Sequence, residues 1–180
     1  THQTYKDINN EWLDPNEIEE RIRAVPGVQE ATVSVEWPVA VDVQVVEQEP
    51  VIVWEQGDER SWVDARGEVF PIRLDIPLLL PIVVDDSDSA AGLEVHIAPE
   101  VVTGVLQLKD LRPSIERIHF DSVYGVSYQD GQNRRGYFGT GSNMDLKLMV
   151  YDLLIEHLLE RGVHPTVVNV ADLEIPYYQE

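Results

Sequence analysis

The chain has 180 residues, 43% of them apolar, with 33 acidic against 13 basic side chains and a formal net charge of −20. That length accommodates one sizeable domain or two small ones, and that charge repels phosphates, which argues against nucleic-acid or anionic-lipid binding. Cysteine is absent, which excludes disulfides, thiolate zinc sites and a cysteine nucleophile, and no apolar run approaches the ~18–20 residues that span a bilayer.

Residues 1–11 are polar and without pattern. Asp14-Pro15-Asn16-Glu17 then predicts a helix start: Asp14 caps free N–H groups, Pro15 suits the first helical position, and Glu17 stands at a capping-box-like spacing. Ile18, Ile22 and Val25 make one apolar stripe, and Pro26-Gly27 ends the helix. Two alternating runs follow. Ala31, Val33 and Val35 oppose Thr32, Ser34 and Glu36, and Val41, Val43 and Val45 oppose Asp42 and Gln44; a period of two means strands with one buried face. Trp37-Pro38 between them suits a turn, because proline donates no ladder hydrogen bond, so the pair reads as a β-hairpin. Pro50 interrupts what would otherwise be one long strand, and a domain boundary is placed there.

Val51–Trp54, Ser61–Asp64 and the Val69-Phe70 pair, separated by Gln56-Gly57-Asp58 and Ala65-Arg66-Gly67, read as an antiparallel meander. Pro77–Pro81 is a connection across the sheet, and residues 85–92 an acidic loop. Pro99–Lys109 predicts a helix with Val101, Val105 and Leu108 on one face. Ile115, Ile118 and Phe120 alternate after Pro113. Asp130-Gly131 between the β-prone runs Tyr124–Tyr128 and Arg134–Phe138 signals a hairpin. Ser142-Asn143-Met144-Asp145 is a second capping signature, opening a helix to Glu160 whose Leu146, Met149, Val150, Leu153, Leu154, Leu158 and Leu159 are expected to dominate the core of the second domain; Gly162 closes it. Thr166–Leu173 is read as the last strand, followed by a tail with Tyr177 and Tyr178.

Few residues point to chemistry. Asp85, Asp86 and Asp88 could ligate a hard cation, but the loop lacks the glycine and terminal glutamate of a calcium-binding loop, and a solvated loop is the expectation. Gly139-Thr140-Gly141-Ser142 precedes a helix start, where N–H groups can hold anions, yet no lysine follows the glycines as a P-loop requires; a strand-to-helix turn is the better reading. His157 and His164 have no metal-like partners at suitable spacing, and no serine stands in a nucleophile elbow. The sequence therefore predicts no catalytic residues, no metal and no cofactor. What remains is sheet edges, whose unpaired N–H and C=O groups can accept a strand from another chain.

The order IEERIRAVPGVQEATV, Trp37-Pro38, VDVQVVEQEPVIVW and WVDARGEVF resembles the extracytoplasmic part of the FtsQ/DivIB cell-division proteins. Their helix, P-x-V-x-x-A-x-V strand, W-P turn, I-x-V-x-E-x-x-P-V-A-x-W run and D-x-x-G-x-V-F run find counterparts in Pro26, Val28, Ala31, Val33, Trp37, Pro38, Val43, Val45, Glu47, Pro50, Val51, Trp54, Asp64, Gly67, Val69 and Phe70. The likeness covers residues 12–82 and again 135–178. It implies an α+β protein: a truncated POTRA-like helix–hairpin module over residues 1–50, without a recognisable first strand and first helix, then over 51–180 an antiparallel β domain with two flanking helices. It further implies a non-enzymatic divisome scaffold on the extracytoplasmic face of the bacterial membrane at the septum. Such a protein is anchored by an N-terminal helix outside this chain, and helps regulate septal wall synthesis. The resemblance makes FtsB-like and FtsL-like proteins the partners. By position, Val168, Asn169, Val170, Ala171, Asp172 and Leu173 would form the docking edge, with Tyr177 and Tyr178 as aromatic anchors. The family often carries a basic residue shortly before the W-P turn; here Val35-Glu36 stand there, which sets aside a contact needing positive charge. The alternatives are a POTRA-type module for polypeptide transport and a cation-binding or hydrolytic domain.

Overall fold

The computed structural model describes residues 14–36, 40–72, 80–87, 96–141 and 143–180. The chain divides into two compact units, residues 1–49 and 50–180. In the first, helix α1 (Pro15–Arg23) begins where the sequence predicts. The Asp14 carboxylate accepts from the Asn16 N–H at 2.9 Å, and Pro15 occupies the first turn. Glu17 does not complete a capping box; it pairs instead with Arg21 one turn on, at 2.7 Å.

Strands β1 (Val28–Glu36) and β2 (Ala40–Glu47) form the antiparallel hairpin, with Ala31 opposite Val45, Val33 opposite Val43 and Val35 opposite Val41. Ala31 and Val33 are buried. α1 also bonds to the rim of β1 away from β2: Glu19 accepts the Val33 N–H at 2.9 Å, and Arg23 donates to the Ala31 carbonyl. The Trp37-Pro38 turn and the expected absence of a first strand and helix fall on residues outside those described.

Among the described residues the second unit holds a nine-stranded sheet in the order β11-β10-β9-β8-β7-β6-β3-β4-β5. Its strands are β3 (Pro50–Gln56), β4 (Glu59–Asp64), β5 (Val69–Pro71), β6 (Ile82–Asp85), β7 (Arg117–Asp121), β8 (Gly125–Gln129), β9 (Arg135–Gly139), β10 (Val167–Asn169) and β11 (Tyr177–Gln179). The β3-β4-β5 meander and the β8-β9 hairpin are antiparallel. β6 lies between β3 and β7 and is parallel to both, and β10 is parallel to β9. The sheet is therefore mixed. Only four residues of β6 carry strand pairing, too few for an alternation to show in the sequence. In the Asp130–Arg134 loop, the Asp130 carboxylate accepts the Gln132 and Arg134 N–H groups, and Asn133, not Gly131, takes the left-handed conformation at φ 64°.

Helices α2 (Pro99–Leu111) and α3 (Met144–Glu160) flank the sheet. The core joins Ile52, Trp54, Val83, Ile118, Val126, Phe138 and Val168 of the sheet to Val101, Val105 and Leu108 of α2 and Met144, Leu148 and Tyr151 of α3. Two expectations for α3 are corrected. Its N-cap is Asn143 in a left-handed conformation, φ 66°, with no side-chain cap bond. Its core stripe is Met144, Lys147, Leu148, Tyr151 and Leu158. Of the residues expected inside, Leu158 is buried, Val150 and Leu154 are partly so, and Leu146 at 44%, Met149 at 58%, Leu153 at 58% and Leu159 at 36% are exposed. The sequence carries apolar residues on both sides of this helix, and one helix can turn only one side to a sheet.

Candidate functional site

The carboxy-terminal margin of the sheet carries the candidate site. After Gly162 the chain enters β10, which pairs with β9 on one flank and β11 on the other. Its Val168 is fully buried and Asn169 nearly so. Two local turns then reverse the chain: the Asn169 side chain accepts the Ala171 N–H, and the Asp172 carboxylate accepts the Glu174 N–H, each at 2.9 Å. Such Asx turns are what short acceptor side chains make in preference to continuing a strand. The return segment forms β11, with Val167 opposite Gln179, Val168 opposite Tyr178 and Asn169 opposite Tyr177.

This corrects the expected rim. Val168, Asn169 and Val170 do not form an edge, because β10 is enclosed on both flanks and Val168 and Val170 belong to the core. Ala171, Asp172 and Leu173 lie in the reversal, outside any strand. Tyr177 and Tyr178 are in the outermost strand. Among the described residues β11 pairs on one side only. A three-residue strand after a proline gives no period-two signal; only the paired tyrosines, of high strand preference, hint at it.

The edge has a defined chemistry. The Thr166 N–H donates to the Gln179 carbonyl at 2.8 Å, so Gln179, and by alternation Tyr177, turn their main-chain groups toward β10. The N–H and C=O of Tyr178 then face outward, flanked by the Pro176 carbonyl. Pro176 has no N–H to offer, which shortens the open ladder. The side chains divide between the two faces. Tyr177 lies over the face away from α2 and α3, where its hydroxyl accepts from Asn169 Nδ2 at 3.1 Å. In register along that face stand Ser127, Tyr137, Asn169 and Tyr177, and Tyr124 packs on Tyr137 with ring centroids 5.1 Å apart. Tyr178 lies over the helical face. Both edge tyrosines are more than two-fifths exposed, and Ile175 beside them is 73% exposed. The sequence does not single out Ser127 or Tyr137, since only register across four strands brings them into line with Asn169 and Tyr177.

Other polar groups are engaged structurally. Asp86 receives His119 Nδ1 at 2.9 Å and stands 3.5 Å from Arg135, and Asp85 accepts the Ser87 N–H; Asp88 lies outside the described residues. Among the described residues no group of three metal-type ligands is found. Gly139 and Gly141 take left-handed conformations in the strand-to-helix turn, and the Gly141 N–H donates to the Glu100 carbonyl. Lys147 is buried and donates to the Phe138 carbonyl at 2.7 Å; burial pulls its pKa down. Burial pushes the Tyr128 and Tyr151 hydroxyls up, and Tyr151 donates weakly to Asp130 at 3.4 Å. The Asp152 carboxylate, hydrogen-bonded to Arg112, raises the guanidinium pKa. A cleft of about 550 Å³ opens where β7 and β8 part beyond the His119–Ser127 pair, lined by Arg117, His119, Tyr128, Gln129 and Asp130. Its Arg117 is held by the buried Glu55 at 2.7 Å, so that charge already has a partner.

The family model described as "POTRA domain, FtsQ-type" matches residues 2–48, and "Cell division protein FtsQ/DivIB, C-terminal" matches residues 52–174. The chain is 26% identical over 177 residues to a protein named "Cell division protein FtsQ" from Chloroflexus aggregans, covering 93% of this chain and 62% of that protein. It is 24% identical over 175 residues to the protein of the same name from Chloroflexus aurantiacus, with the same two coverages. The chain thus spans about three-fifths of the length of these relatives.

Proposed function

The chain belongs to the FtsQ/DivIB family of cell-division proteins, and from that premise we propose that it is a non-catalytic scaffold of the divisome, binding FtsB-like and FtsL-like partners by strand addition at β11. It works on the extracytoplasmic face of the membrane at the septum, with residues 1–50 as a POTRA-type module and residues 51–180 as the partner-binding β domain, and so helps regulate septal wall synthesis. The observation that carries this reading is the one-sided pairing of β11. Its outward Tyr178 N–H and C=O can bond an incoming strand, while exposed Tyr177 and Tyr178 grip it from the two faces. Main-chain bonds supply affinity in such complexes, and alternating side chains supply selectivity. Aromatics suit the task because they bury much area with few rotatable bonds.

A polypeptide-transport module would use the same kind of edge, but the match over residues 52–174 to a cell-division domain favours the divisome. Amide hydrogen exchange tests the reading. On adding the extracytoplasmic segment of the FtsB-like protein from the same organism, the Tyr178 amide is expected to slow at least about tenfold, with the Val168 amide unchanged. Saturating partner with no protection at Tyr178 overturns it.

A further inference from the structure

We propose that the outer face of α3, together with the groove between it and the end of α2, docks a basic amphipathic helix of another protein. The helix has two apolar stripes. Met144, Leu148 and Tyr151 form the inner one. Leu146, Met149 and Leu153, spaced three and four residues apart on the opposite side, form the outer one, at 44%, 58% and 58% exposure. Beside it lies a depression of about 370 Å³ lined by Leu111, Leu148, Met149 and Leu153, with Asp145, Asp152 and Arg112 at its rim. A solvent-facing helix normally carries charged residues there; three large side chains in line on an otherwise strongly acidic surface mark a contact. A groove flanked by two helices, one bearing a ridge at three-and-four spacing, fits a third helix better than a strand.

Charge selects the occupant. Asp145, Asp152 and Glu156 follow one another along the groove side of the outer stripe, and all three are exposed. Of the three, Asp152 is the one that Arg112 engages. A second copy packed antiparallel on this face would set that acidic row against its own counterpart, and like charges facing each other oppose association. Anionic lipid is repelled for the same reason. A helix with Leu-type side chains on one face and Lys or Arg along its margins satisfies both the stripe and the row. The site is separate from β11 and does not depend on the strand-addition reading.

The probe is a synthetic, end-capped peptide of about 18 residues, long enough to become helical on binding, with Leu at three-and-four spacing and Lys elsewhere. A control has the same composition, rearranged so that no helical stripe exists. Each is labelled with fluorescein and titrated with the 180-residue chain at physiological salt, followed by anisotropy. The striped peptide is expected to bind at least about tenfold more tightly than the control. The double variant M149E/L153E is expected to weaken it at least about tenfold, although it makes the protein more acidic; D145K/E156K is expected to weaken it similarly. Equal binding of the two peptides overturns the proposal, as does unchanged or tighter binding by M149E/L153E, which would mean net charge alone. Sedimentation of the wild-type chain as a dimer that M149E/L153E dissolves also overturns it, since the occupant is then a second copy. Should M149E/L153E lose its helical circular dichroism, D145K/E156K, altered only at exposed charges, decides the matter.

Discussion

Tyr178→Pro separates the edge from the fold. The main-chain groups that join β11 to β10 belong to Tyr177 and Gln179, opposite Asn169 and Val167. Those of Tyr178 point away, so proline there spares the existing ladder and removes only the outward donor. An incoming strand would lose one hydrogen bond, a net of about 1 kcal/mol, and its own carbonyl would be left buried and unpaired, a further ~1–3 kcal/mol. The sum, about 2–4 kcal/mol, weakens binding about 30- to 700-fold. The assay is calorimetric titration of wild type and Tyr178→Pro with the extracytoplasmic segment of the FtsB-like protein, beside thermal melts of both. Asn169→Pro is the counterpart: it removes a donor between β10 and β11 and is expected to lower the melting temperature. Affinity within threefold of wild type for a Tyr178→Pro protein that melts normally would refute the assignment of the edge.

Further expectations concern the body of the β domain. Lys147→Met leaves the Phe138 carbonyl without its donor, and urea unfolding is expected to show a loss of about 1–3 kcal/mol. Tyr151 has its pKa raised by burial, so the folded state holds its proton more firmly than the unfolded state. The stability this contributes is complete below about pH 10, the ordinary tyrosine value, and is lost as pH rises toward the folded pKa. Melting temperatures between pH 9 and 11 should therefore fall less steeply in Tyr151→Phe than in wild type. Gly125 sits at φ +73°, and a methyl group there would lie 2.5 Å from the Gly139 carbonyl carbon. Gly125→Ala combines a left-handed strain with a backbone clash, and a loss of at least about 2 kcal/mol in urea titration is expected.

What residues say locally and what only folding decides fall on different elements. The start of α1 at Asp14-Pro15, the alternation of β1 and β2, and the turns that separate β3 from β4 and β8 from β9 are written in neighbouring residues, because caps, period-two burial and turn conformations act over a few positions. The family likeness is legible for the same reason, since it rests on such signals in order. The sequence alone did not decide which strand would be last in the sheet. β6 and β11 are too short to carry a period, and β11 exists because two Asx turns bring Tyr177–Gln179 back against β10. That reversal encloses Val168 and moves the open main-chain groups to Tyr178. Nor could periodicity choose between the two apolar sides of α3. Tertiary packing put Met144, Leu148 and Tyr151 against the sheet and left Met149 and Leu153 outside, because burial depends on the shape of the facing layer as much as on the hydrophobicity of the stripe.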